Sequence, residues 1–78
     1  MMKPGKELAK AYRLMADYRK EMDECETVGY SEGVDYYHYK LNGVQKTLEV
    51  LTGEWPVALH SVRDITIYHG TYEQTFAL

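Results

Sequence analysis

The chain has 78 residues, 45% apolar and 27% charged, with a net charge of −3. That length builds one domain around a modest core and leaves little room for a deep catalytic cleft. The balance excludes a disordered tail, no apolar run is long enough to span a membrane, and the negative charge argues against general nucleic-acid binding.

The N-terminus, Met1-Met2-Lys3-Pro4-Gly5-Lys6, has no apolar h-region of a signal peptide. A lone cysteine, Cys25, excludes an internal disulfide framework and a cysteine zinc cage. Both features point to the cytoplasm.

A first helix is expected from about Gly5 to Glu26. Leu8, Ala11, Met15, Tyr18, Met22 and Cys25 alternate at three and four residues, which puts them on one stripe. Pro4 stands just ahead of the first turn, where a missing N–H costs nothing. Thr27-Val28-Gly29-Tyr30-Ser31-Glu32-Gly33 reads as a loop, broken by two glycines and two hydroxyl residues. A second helix then begins at Ser31 or about Val34 and runs to Thr52, with the stripe Val34, Tyr37, Leu41, Val44, Leu48 and Leu51. Gly53 suits the left-handed residue past its end, and Pro56 prevents continuation. Gly43 lies inside this helix at a cost of roughly 1 kcal/mol relative to Ala. Either a neighbouring helix approaches closely there or the cost is simply tolerated. Two matched stripes and a short loop make an antiparallel helical hairpin.

Beyond Val57 the period changes to two. Arg63 to Tyr68 and Tyr72 to Leu78 alternate and are rich in β-branched and aromatic residues, so a β-hairpin is expected over about 63–78. A turn at His69-Gly70 would pair Ile67 with Tyr72, Ile65 with Gln74 and Arg63 with Phe76. Ile65, Ile67, Tyr72 and Phe76 then share the face that lies on the helices. Val57, Leu59 and Val62 form either a short strand or an apolar linker. The fold class is α+β: a helical hairpin followed by a C-terminal β-hairpin, in one small domain.

Nothing in the sequence assembles a catalytic centre. Cys25 lies on an apolar stripe, where a free cysteine more often serves as a small hydrophobe than as a reactive thiol. His38, His60 and His69 lack metal-ligand spacing, and Asp35 with His38 would need further ligands from elsewhere. No phosphate-binding glycine motif or serine elbow occurs. The protein is read as a non-enzyme without metal or cofactor.

Charge is distributed unevenly. Residues 1–20 carry six bases against two acids, whereas residues 21–36 carry six acids and no base. The hairpin therefore has a basic base and an acidic tip. Acids at the end of the first helix oppose its macrodipole. A solvated cap is one reading of that tip, and a functional surface is the other. Eight tyrosines stand against one Phe and one Trp, and Tyr30, Tyr36 and Tyr39 lie near the acids. Tyrosine suits both half-buried seams and recognition surfaces. Lys6, Lys10 and Arg13 line the opposite side of the first helix, together with Lys3.

The stretch from Tyr36 to Leu51, with Tyr36-Tyr37, Lys40, Gly43 and a leucine-rich end, resembles the second helix of small helical-hairpin proteins encoded by bacteriophages. The resemblance implies an accessory protein made in the host cytoplasm during infection that binds and blocks a host factor. It transfers no catalytic residue.

The leading expectation is an interaction module, a homodimer or higher oligomer, that occludes a partner protein through Glu24, Glu26, Tyr30, Glu32, Asp35, Tyr36 and Tyr39. The alternative is an oligomer that holds a small anionic ligand such as a nucleotide, with Lys6, Lys10 and Arg13 on the phosphate.

Overall fold

A computed structural model describes residues 3–78 and shows two helices followed by a three-stranded antiparallel sheet. Helix α1 spans Lys6–Thr27 and α2 spans Ser31–Thr52; strands β1, β2 and β3 span Val57–His60, Asp64–His69 and Tyr72–Ala77, in spatial order β1-β2-β3. The expected α+β class and helical hairpin are present, and the segment from Val57 is a strand rather than a linker.

The connection between the helices is shorter than the glycines suggest. After Thr27 only Val28, Gly29 and Tyr30 intervene, so α2 starts at Ser31 and takes Gly33 into its first turn. Gly29 has φ +76°, and the N–H groups of Val28, Gly29 and Tyr30 satisfy the carbonyls of Glu24, Glu26 and Cys25. That closes the end of α1 without side-chain caps. Gly33 is buried because its neighbours need its missing side chain. A Cβ there would stand 2.5 Å from Cys25 Sγ and 2.7 Å from the Tyr30 ring. At the other end Gly53, at φ +81°, donates its N–H to the Glu49 carbonyl, as the sequence leads one to expect.

Helix α1 is the central element, packing on α2 along one side and on all three strands along the other. Tyr18 meets Tyr37 of α2 within the predicted stripe. The side facing the sheet adds Tyr12 and Ala16 to Met15 of that stripe. Tyr12, Met15 and Ala16 are buried in the core with Ile65, Ile67, Ala58, Leu41 and Leu48. Full burial of an Ile or Met side chain stabilises by about 1.5–3 kcal/mol. Leu51, placed on the α2 core stripe by its spacing, is instead 75% exposed. A helix of 3.6 residues per turn drifts about 20° per heptad from a 3.5 repeat, so the last turn carries Leu51 outward and brings the Thr52 hydroxyl to His69.

The β2–β3 register also departs from the expected one. The two central turn residues are Gly70 and Thr71, which pairs His69 with Tyr72, Ile67 with Gln74 and Ile65 with Phe76. Gly70 has φ +59°, the left-handed position that a two-residue hairpin gives to glycine. The register slips by two residues, so every side chain keeps its face. Ile65, Ile67, Tyr72 and Phe76 still point toward the helices, now joined by Ala58, His60, His69 and Gln74. Along β1 the small Ala58 is buried, while Val57 and Leu59 point outward.

Helix side chains guard the β1 edge. Arg19 Nη1 donates to the Ala58 carbonyl (3.2 Å), and Gln45 Nε2 donates to that of Pro56 (3.1 Å). An edge capped in this way is a poor template for a foreign strand. Near the opposite end His69, 2% exposed, ties four segments together. The Tyr12 hydroxyl donates to His69 Nδ1 (2.5 Å), and His69 Nε2–H faces the Glu54 carbonyl and Thr52 Oγ1, each at 2.9 Å. The Glu54 carbonyl can only accept, so Nε2 carries the proton and Nδ1 accepts.

Apart from its chain neighbours and its own helix backbone, no atom of the described residues lies within 4 Å of a Cβ built on Gly43. Close approach of a neighbour within the chain therefore does not account for this glycine. No described helix is long and apolar enough to cross a membrane.

Candidate functional site

The end of the hairpin gathers part of the predicted surface. The end of α1, the three-residue connection and the first turns of α2 place Glu24, Glu26, Tyr30, Glu32 and Asp35 at one exposed end of the molecule. Tyr30 is held there by its packing over Gly33, and half its surface remains open. Val28, beside it, is exposed as well. Among the described residues Glu24 has a cationic neighbour, Lys20 Nζ at 3.9 Å, whereas Glu26, Glu32 and Asp35 have no ion pair. A shallow groove of about 230 Å³ is lined by Glu26, Gly29, Ser31, Val34 and Asp35. Its apolar floor and two carboxylates suit a side chain with an aliphatic stem and a positive head.

Tyr36 and Tyr39 stand further along α2, four and seven residues past Glu32, or about one and two turns from it. Both project from the side of α2 opposite Leu41 and Leu48. Tyr36 stacks edge-on against Tyr37, with ring centroids 5.0 Å apart, and the Lys40 ammonium lies 5.4 Å from its centroid. Tyr39 is 78% exposed, the most open of the tyrosines. Burial and the charges around it push the Tyr37 hydroxyl above its ordinary pKa, with Glu21 the largest contributor among those charges.

The basic stripe lies toward the other end of α1; Lys10 is fourteen residues, or about 21 Å of helix, from Glu24. Lys6 and Lys10 are exposed. Arg13 is engaged, with Nε 3.4 Å from Asp17 Oδ1 and its guanidinium 5.4 Å from the Phe76 ring centroid. A clamp on phosphate would have to draw Arg13 away from both.

Sequence reasoning missed a polar cluster beneath the tip. Asp23 Oδ2 accepts from Arg19 Nε (2.9 Å) and meets His60 Nδ1 (2.5 Å), which joins α1 to the end of β1. Burial alone would push the Asp23 carboxyl up, but the hydrogen bonds and charges of His60 and Arg19 outweigh it and hold its pKa below the usual value. The Arg19–Asp23 spacing on one helix was a visible signal; the 37-residue separation of His60 was not. The nearby Ser61 hydroxyl is directed to Asp64 Oδ1 (2.9 Å) rather than to His60, so nucleophile and base are not joined. Among the described residues no group of three His, Cys, Asp or Glu side chains is placed to hold a metal ion.

Comparison with protein-family models, curated proteins and solved structures yields no match.

Proposed function

We propose that the protein is a non-enzymatic interaction module whose acidic tip binds a basic surface of another protein and blocks it. One observation carries this reading: Glu24, Glu26, Glu32 and Asp35 are exposed around Tyr30 and Val28, and three of those four acids have no cationic neighbour among the described residues. Acids gathered at the C-terminal end of α1 oppose its dipole by about 0.3–1 kcal/mol each. A surface kept despite such a cost is accounted for by a partner that meets it. Tyr30 supplies the aromatic anchor, and the acids form the polar rim that steers a positive partner. The blocking role comes from the resemblance of residues 36–51 to bacteriophage accessory hairpins.

The test is site-specific photo-cross-linking in cells that make the protein. A benzophenone side chain at Tyr30 is expected to give an adduct with a second, different protein. The same group at the exposed Thr75, on the outer face of the sheet, is expected to give none. Equal adducts from both positions, or none from Tyr30, contradict the proposal.

A further inference from the structure

We propose that the outer face of α2 is a self-association surface, in which two copies pack antiparallel about a two-fold axis at Gly43 and each seats Tyr39 in the other's groove. Four observations converge on this arrangement.

Gly43 has open space where its side chain would be, so nothing within the chain requires a glycine there. Its absent side chain, together with the small Ala11 of α1, leaves an open groove of about 530 Å³ between the helices, lined also by Tyr18, Val44, Thr47 and Leu48, with Tyr39 and the two lysines Lys40 and Lys46 along its outer rim. The groove is a hole without a knob.

The knob lies on the same helix. Tyr39 is 78% exposed and stands one turn before Gly43. Positions on α2 are symmetric about the glycine: Tyr36 and Val50 are each seven residues away, and Tyr39 and Thr47 are each four away. Seven residues is close to two helical turns, so Tyr36, Gly43 and Val50 share one line along the outer face. A two-fold axis through Gly43 therefore sets Tyr36 of one copy on Val50 of the other. It also brings Tyr39 over Thr47, at the mouth of the groove. By symmetry both contacts occur twice.

The same axis brings Lys40 of one copy beside Lys46 of the other. Each already has a partner within its own chain, Lys40 on the Tyr36 ring and Lys46 on Glu49 at 3.3 Å. At the ends the charges are complementary. Antiparallel packing sets the exposed Lys3, Lys6 and Lys10 of the base level with the other copy's tip, where Glu26, Glu32 and Asp35 have no ion pair among the described residues.

The exposed area is in proportion. Tyr36 and Val50 are 54% and 74% exposed. With Tyr39 they offer roughly 400 Å², at about 200–250 Å² for a whole tyrosine. Groove walls and lysine stems add to this, toward the ~800 Å² per side of a standard interface, so a reversible dimer is expected. The occupant is a second copy of this chain, because the knob, the hole and the complementary ends are all its own. Both acidic tips stay at the outer ends of the pair.

Sedimentation equilibrium of the full chain tests this at concentrations from about 5 to 300 μM, the range of a reversible contact. The wild type is expected to approach twice its 9.1 kDa mass as concentration rises. Tyr39→Ala removes the knob and Gly43→Lys fills the hole. Both sites are exposed, so helical circular dichroism stays unchanged while each variant weakens the dimer at least about tenfold. A wild type that remains monomeric throughout overturns the proposal. So does a dimer that both variants leave at wild-type affinity, which would place the contact on another face.

Discussion

Tyr12 and His69 show how one polar pair holds a small core in place. Each fills apolar space, and each needs the other: the Tyr12 hydroxyl has its partner in His69 Nδ1, and His69 has its second in the Glu54 carbonyl. Tyr12→Phe keeps the ring and orphans a buried nitrogen, so it is expected to lower unfolding stability by about 1–3 kcal/mol in urea titration. Burial, and then the charge of Tyr72, push the Tyr12 hydroxyl up to about 12. The folded protein thus holds this proton more tightly than the unfolded chain, whose tyrosines ionise near pH 10. Stability from this group is therefore fully present below pH ~10 and is lost as pH rises through ~12. In the Phe variant that alkaline loss should be smaller. The pair was invisible in the sequence because its members are 57 residues apart and His69, beside Gly70, reads as a turn residue where the structure makes it the last residue of β2.

Two glycines in α2 make opposite demands. Gly33→Ala would push a Cβ into Cys25 Sγ and the Tyr30 ring, with contacts of 2.5 and 2.7 Å. It is expected to lower the melting temperature and to displace Tyr30. Gly43→Ala meets nothing within 4 Å and gains helix propensity. It is expected to stabilise the monomer by roughly 1 kcal/mol, measured at concentrations too low for self-association. Much of the element structure was legible because it rests on local periodicity. The Leu8–Cys25 and Val34–Leu48 stripes identify the hairpin, and Ile65, Ile67, Tyr72 and Phe76 identify the inner face of the sheet. What was not legible follows from α1 having two neighbours. A single stripe accounts for its contact with α2 and leaves Tyr12, Ala16, Arg19 and Asp23 looking like solvent-facing positions, although they meet the sheet. The sequence alone leaves β1 undecided between strand and linker, because it is four residues long and buries its smallest side chain.

Across the whole molecule, the tip could be read early because its acids are contiguous in sequence on both sides of one short connection. Tyr36 and Tyr39 were grouped with that tip by sequence proximity. Helical spacing puts Tyr36 one turn and Tyr39 about two turns past Glu32, so the outer face of α2 runs on from the tip. The molecule thus offers two adjoining surfaces, the acidic end for a foreign partner and the outer face of α2 for a second copy. The charges that suit the first are the ones a stable hairpin would not select. Replacing Glu24, Glu26 and Glu32 by Lys places positive charge at the C-terminal end of α1 at two sites, with a gain of about 0.3–1 kcal/mol each, less about 0.2–0.5 kcal/mol where Lys20 loses Glu24 and faces a like charge. At the third, beside the start of α2, it gives back a comparable amount.

The most direct test of the account is that triple variant, assayed in parallel for thermal unfolding and for capture of its partner from cells that make the protein. The account predicts an unchanged circular dichroism spectrum, a melting temperature equal to or above that of the wild type, and loss of the protein that the wild type retains. Retention of that protein at wild-type level by a fully folded variant would contradict it.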